Sequence, residues 1–525
     1  ASAGRPNTAT HSYDVAGRRI STTDANGRKH HYFYNAGGQL RFTVSMAGDG
    51  VSGEVSELRY NTFGNVIESI RYAEAISISG LVGGVDTSLV EQRITLSAND
   101  RAFQYSYTLA GEVQNVTDAE GDVSESAYNS FGDLIASQRE VIRVSGLGSD
   151  LVVDTWQYDR RGLNTGSTRD LGGQSISQAV EFDAFGRATQ KLDAMGRQWQ
   201  TAYDRAGRVV TATDPLQQSA TTTFDAFDRI LSTTNKLGDT TTYQYDDGVA
   251  GRSIVRMTTP EGVVTTTTYD RYGSTIAITR VNNGVTEVQS FEYNKNGQLT
   301  RAIDAEGNAT QNIYNQFDQL SESRDEEQNR TTYSYDAASR RLTRTVDPGG
   351  GSSRLNLVTQ YEFDAFGQAI AVVDARGIRT ETVFDAAGHR VAVIVDTNGL
   401  REATVYTNDT EGRVLEVREG VEASPSSMGG GWDFSGPELK VTQYTYDAIG
   451  RRVAEVVDPD GLALETKYRY DDNGNMVLKV DARGSDWRYV YDELNRKVYE
   501  IDPGNGVRGA VKRIQYDAEG RVTRQ

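Results

Sequence analysis

The chain has 525 residues, a formal net charge of −18, no cysteine, 53 glycines and only 8 prolines, and 37% of its residues are hydrophobic. The charge argues against a nucleic-acid partner, because phosphate binding depends on Lys and Arg displacing counterions. The missing cysteines exclude disulfides, thiolate nucleophiles and zinc–thiolate sites, and no apolar run approaches the roughly 18 residues of a membrane-spanning helix.

Read from the N-terminus, one pattern recurs to the end. Tyr13-Asp14-Val15-Ala16-Gly17-Arg18 is its first copy, and Asp24-Ala25-Asn26-Gly27 follows 11 residues after the aromatic. His30 and His31 come next; adjacent residues on a strand point to opposite faces, and His11 and His389 are distant in sequence, so no metal site is predicted. The period returns at Tyr34 and Tyr60, then stretches across Ser77-Ile78-Ser79-Gly80-Leu81-Val82-Gly83-Gly84. Tyr107, Asp118-Ala119-Glu120-Gly121 and Tyr128 resume it before a second irregular stretch, Val144-Ser145-Gly146-Leu147-Gly148. From Tyr158 onward the copies are dense: Phe182-Asp183-Ala184-Phe185-Gly186-Arg187, Tyr203-Asp204-Arg205-Ala206-Gly207-Arg208, Phe224, Tyr245, Tyr269, Tyr293, Tyr314, Tyr335, Phe363, Phe384 and Tyr406. The longest irregular stretch runs from Gly420 to Pro437 and holds Ser424-Pro425-Ser426-Ser427 and Gly429-Gly430-Gly431-Trp432. Tyr446-Asp447-Ala448-Ile449-Gly450-Arg451, Tyr470, Tyr491 and Tyr516-Asp517-Ala518-Glu519-Gly520-Arg521 complete the array, and nine of the twenty intervals between anchors are 21 residues.

Each unit carries two turn signals, the second exemplified again by Asp193-Ala194-Met195-Gly196, Asp304-Ala305-Glu306-Gly307, Asp374-Ala375-Arg376-Gly377 and Asp481-Ala482-Arg483-Gly484. Asp or Asn bonds its side chain to the backbone two residues on and Gly supplies positive φ, so both signals read as reverse turns. The segments between them, such as Ala220 to Asp225 and Arg229 to Thr234, are short and rich in β-branched and aromatic residues, which predicts strands. Two strands of about six residues and two turns of about four give roughly the observed period, and short turns make consecutive strands antiparallel. The prediction is an all-β chain: tandem β-hairpins in one continuous antiparallel sheet, a single array of about twenty units over residues 1–525, with loop insertions near 72–95, 142–153 and 420–440. Helical spacing is not found anywhere, and the insertions are expected to be surface loops or extended hairpin arms.

The recurring Tyr-Asp-x-x-Gly-Arg with its trailing Asp-x-x-Gly resembles the YD or RHS repeat family, which includes the Rhs polymorphic toxins, the C component of Tc toxins and the teneurins. The resemblance covers Tyr13 to Gln525. It implies a ribbon that spirals into a hollow shell, belt or tube; in the bacterial toxins such a shell encloses a C-terminal toxin domain and holds it inert, and in teneurins it is an adhesion scaffold. Rolled around a chamber, about 40 strands at roughly 4.8 Å spacing complete little more than one turn, so an open belt or narrow tube is expected. The array is expected to be cut mid-repeat at both ends. Its strand edges would then pair with the remainder of its own polypeptide or with neighbouring copies.

The expected function is a structural, non-catalytic shell segment of a secreted or cell-surface bacterial toxin or delivery protein, enclosing a toxin or cargo domain. The alternative is a cell-surface adhesion or filament-forming scaffold, with carbohydrate as a candidate ligand for the aromatic faces. No catalytic, cofactor-binding or metal-binding residues are predicted. The anchors are read as structural: Tyr13, Tyr34, Tyr128, Tyr158, Phe182, Tyr203, Phe224, Tyr269, Tyr293, Tyr314, Tyr335, Phe363, Phe384, Tyr446, Tyr470, Tyr491 and Tyr516. The resemblance also implies a self-cleaving aspartate near a motif of the type Asp-Pro-x-Gly-Leu. Asp458-Pro459-Asp460-Gly461-Leu462 matches that motif, yet it lies 12 residues after Tyr446, where an ordinary repeat turn belongs, so a turn is expected there. Asp471-Asp472-Asn473-Gly474-Asn475 lacks spaced calcium ligands and is likewise read as a turn.

Overall fold

The computed structural model describes residues 9–24, 27–142, 149–171, 175–249, 252–349, 355–409, 411–426, 432–504 and 509–525. Ala25 and Asn26 of the first Asp-x-x-Gly turn, the Val144–Gly148 stretch and Gly429–Gly431 lie outside these residues. Among the described residues there are 46 strands and one helix, and 42 of the strands join a single sheet. Among the described residues the strands pair antiparallel, and most partners are consecutive in sequence. This is the meander that short turns dictate.

Two kinds of junction alternate. Between Gln198–Tyr203 and Val209–Thr213 the register shifts between Ala202 and Tyr203, a β-bulge beside the YD turn. Between Val209–Thr213 and Ser219–Phe224 the pairing is continuous. Gly207, at φ 88, occupies backbone space that a residue with a Cβ rarely enters.

The chain divides into two compact units, one made of Ala1–Ala127, Arg139–Gly148 and Thr310–Gln443, the other of Tyr128–Gln138, Ser149–Ala309 and Tyr444–Gln525. In the first unit the insertion near 72–95 corrects two expectations. It contains the helix Ser88–Arg93, and it is not a surface loop. Tyr72, Ile76, Leu81 and the fully buried Val90 pack over Phe33, Phe42, Val44, Val55 and Ile70 of the sheet, forming the larger hydrophobic core. Gly53 makes this possible: a Cβ there would lie 2.6 Å from both Ile78 Cγ2 and Val44 Cγ1. A six-residue helix is too short to show a 3.6-residue period, and burial of Val90 rather than propensity holds it.

The insertion near 420–440 behaves the same way. Val421, Ala423, Trp432 and Phe434 pack on Ala392, Ile394, Ala403 and Val405 in the same unit. Phe42 pairs with Phe33, the residue before the anchor Tyr34, and Ala392 pairs with Val383, the residue before the anchor Phe384. Equivalent repeat positions are therefore covered in both places, so the two insertions lie on the same face of the sheet. Beneath the first insertion, the buried carboxylate of Glu57 accepts from Tyr72 Oη at 2.7 Å, Arg59 at 3.0 Å and Arg41 at 3.1 Å. Beneath the second, Glu381 occupies the matching position and accepts from Trp432 Nε1 at 2.9 Å.

Candidate functional site

The recurring motif builds a clamp. At Asp204 the turn closes with Gly207 N donating to Asp204 O at 3.1 Å, and Asp204 Oδ1 accepts the amides of Ala206 and Arg208, both at 2.9 Å. Oδ2 accepts Arg208 Nε at 2.7 Å. The Arg208 amide and guanidinium hold the Asp204 carboxyl below the usual carboxylate range. The same guanidinium lies 4.8 Å from the ring centroid of Phe224, the next anchor, and Nη1 donates to Asp225 O at 2.9 Å. Asp and Gly shape the turn, and Arg ties it to the following turn. Arg187 repeats the construction on Tyr203 and Asp204, Arg340 on Phe363 and Asp364, Arg451 on Tyr470 and Asp471, and Arg496 on Tyr516 and Asp517.

The tyrosine anchors add a second tie. Tyr203 Oη donates to Ala188 O at 2.8 Å, Tyr245 Oη to Ile230 O at 2.8 Å, Tyr335 Oη to Leu320 O at 2.8 Å and Tyr491 Oη to Met476 O at 2.9 Å. Tyr34, Tyr60, Tyr107, Tyr158, Tyr293, Tyr470 and Tyr516 do the same. Where the register is described the acceptor pairs with the preceding anchor across the bulge, as Ala188 does with Phe182, Ile230 with Phe224 and Leu320 with Tyr314. The hydroxyl thus satisfies a carbonyl where the ladder is locally disrupted.

Tyr13, Tyr128, Tyr158, Phe182, Phe224, Tyr269, Tyr314, Phe384 and Tyr446 each stand last in a strand, as do the anchors that donate above, apart from Tyr245. At Tyr245 the strand continues to Val249 in a longer hairpin. Tyr406 is a correction: the bulge falls between Thr407 and Asn408, and Asn408 occupies the anchor place. Its Nδ2 donates to Arg390 O at 3.0 Å, the bond a tyrosine hydroxyl makes elsewhere.

Within each unit the ribbon also meets itself again, second turns of an earlier stretch against YD turns of a later one. In the first unit Gly48 O accepts Ala337 N at 3.2 Å, Glu54 meets Arg340 at 3.4 Å, Arg101 meets Gln368 at 2.5 Å and Arg139 meets Glu411 at 2.8 Å; the side-chain partners are 286, 267 and 272 residues apart. Arg101 also covers the Phe366 ring at 4.1 Å. In the second unit Asp193 accepts from Asn473 at 2.5 Å, Arg197 donates to Asn495 at 2.5 Å and Lys236 N donates to Glu519 at 2.7 Å, across 280, 298 and 283 residues. These seams are polar and charged. Burial pushes the Glu54 carboxyl up even though Arg28 and Arg340 flank it.

Asp458 lies in the turn joining Arg452–Val457 to Leu464–Tyr470, two paired strands. Its carbonyl accepts Gly461 N at 3.2 Å and Ala463 N at 2.7 Å, and its carboxylate accepts Leu462 N at 2.8 Å. Asp396-Thr397-Asn398-Gly399-Leu400 builds the same turn, with Gly399 N and Arg401 N on Asp396 O at 2.8 and 3.0 Å and Leu400 N on the carboxylate at 3.1 Å. Both aspartates have φ 55. Two copies of one turn geometry mark Asp458 as a repeat element. Asp471–Asn475 is also a turn, with Asn475 donating to Asp471 Oδ2 at 2.9 Å.

The RHS Repeat family matches residues 182–219 and 314–352. A probable deoxyribonuclease, RhsB of Dickeya dadantii (strain 3937), is 26% identical over 284 residues, which is 49% of this chain and 16% of that protein. The tRNA nuclease WapA of Bacillus subtilis (strain 168) is 25% identical over 127 residues, 24% of this chain and 5% of that protein. The chain therefore spans a small part of the curated relatives it matches. Among solved structures, a TcdB2–TccC3 crystal structure aligns with a TM-score of 0.51 at 14% identity over 98% of this chain and 30% of that one. The Tc holotoxin pore of Photorhabdus luminescens aligns with a TM-score of 0.50, also at 14% identity. With its clamps, bulges and meander repeated through both units, this chain carries RHS repeats and is similar in sequence pattern and fold to the YD/RHS repeat proteins.

Proposed function

We propose that the chain is a non-catalytic wall segment of a secreted or cell-surface bacterial toxin or delivery protein, enclosing and shielding a toxin or cargo domain. The observation that supports this most is the double stitching of the ribbon. Arg and Tyr tie many of the repeats to the next, and stretches 267 to 298 residues apart lie edge to edge within each unit. Confinement needs a wall with few unpaired edges, and such a ribbon supplies one. In the complete gene product, limited trypsin digestion should spare the enclosed domain until denaturant opens the wall. Equal cleavage of that domain in the intact and the unfolded protein would overturn the proposal.

A second reading, a scaffold that associates with copies of itself, rests on a row of exposed aromatic side chains, each with one arginine beside its ring. In the second unit Phe185, Phe227 and Tyr272, three residues past their anchors, are 84%, 78% and 76% exposed. In the first unit Phe63 holds the same place and is 89% exposed, whereas Phe366 lies under Arg71 and Arg101. Sedimentation velocity should then show concentration-dependent association that Phe185→Ser with Phe227→Ser abolishes; a monomer at every concentration sinks this reading.

A further inference from the structure

One YD turn replaces the arginine with histidine. Phe384-Asp385-Ala386-Ala387-Gly388-His389 closes like the others, with His389 N on Asp385 Oδ1 at 2.7 Å. Asp385 Oδ2, which elsewhere takes the arginine Nε, instead faces His389 Nδ1 at 3.3 Å. Across the seam, Glu120 from the second turn Asp118–Gly121 brings Oε1 to 3.8 Å from the same Nδ1. The three donor atoms lie within 4.8 Å of one another.

We propose that Glu120, Asp385 and His389 hold a divalent zinc ion that staples the two edges of the seam. Donors bound at about 2.0–2.1 Å in a tetrahedral site lie roughly 3.3 Å apart, so the observed spacings need only small side-chain movements to accept the ion. One imidazole nitrogen and two carboxylate oxygens are a donor set suited to zinc, with the fourth position left to water. His389 Nδ1 is buried and has no hydrogen-bond partner, as is Asp122 Oδ2 beside the cluster. The ring is oriented by Gly412, where a Cβ would come within 2.7 Å of His389 Nε2, so Nδ1 is the nitrogen turned to the carboxylates. The nearby cation, Arg101, is engaged with Phe366 and Gln368.

The test uses variants whose turn chemistry the chain already employs: Asp385→Asn copies Asn294 and Asn315, and His389→Gln copies Gln298 and Gln319. Calorimetric titration of the chain with zinc chloride should show one saturable site and a raised Tm. Glu120→Gln and His389→Gln should each weaken it at least tenfold while leaving the Tm in EDTA within a few degrees of wild type. Cobalt(II) should give visible absorption bands that His389→Gln removes. No saturable site, or zinc affinity and cobalt bands unchanged in both variants, overturns the proposal.

Discussion

Between Gln198 and Thr234 four consecutive strands contain no buried residue, whereas between Lys29 and Arg93 nine buried side chains form a core under an insertion. The first region coheres through polar stitching: turn carboxylates, guanidinium on ring, hydroxyl on carbonyl. The second coheres through apolar burial, which the ribbon cannot supply until a second layer covers one face. The contrast shows that repeats set the architecture, while insertions provide the few places where it is thick.

Phe42→Ala should break the contrast most severely. Its side chain is 1% exposed at the centre of the first core, and the truncation should cost about 3–5 kcal/mol, read from the denaturant midpoint. A loss near that of a regular-repeat residue would mean that the insertion is not a true core.

Glu57 gives the next effect, and a pH dependence. Burial raises its carboxyl, but hydrogen bonds from Tyr72, Arg59 and Arg41 outweigh burial and hold it below the ordinary glutamate value. A depressed folded pKa contributes stability above the unfolded value, about 4.5, and that stability is lost as pH falls through the folded one. Glu57→Gln should cost about 2 kcal/mol at pH 7, solvent screening of the half-exposed Arg59 limiting it. The gap between variant and wild-type Tm should close on acidification; a constant gap from pH 7 to pH 3 contradicts the assignment.

The smallest expected effect lies in the regular repeats. Tyr203→Phe keeps the ring under Arg187 and removes only the bond to Ala188 O, so about 1 kcal/mol or less should be lost. A loss as large as that of Phe42→Ala would show that the hydroxyl ties carry the fold.

The features visible in the sequence are those whose causes are local. Asp204 and Gly207 shape their turn within five residues, and Arg208 meets Phe224 one repeat on, so the period exposes both. Partners 267 to 298 residues away leave no trace in a 21-residue pattern, so nothing local in the sequence places Glu120 beside the turn of Asp385 and His389. The aromatic period points to Tyr406, whereas the structure puts Asn408 in the anchor place, where its amide can donate to Arg390 O. The insertions misled because glycine and serine mark loops, while the burial of Leu81 and Val90 depends on a surface that the strands 29–60 provide.

The seam partners behave like meshed gear teeth. Glu54 finds Arg340 and Asp193 finds Asn473 only while the number of hairpins between them stays fixed. Deleting one whole hairpin would preserve every local bond and still slip all later teeth by one place. Evolution can therefore lengthen individual loops freely, but the tally of repeats between meshing turns should be nearly frozen.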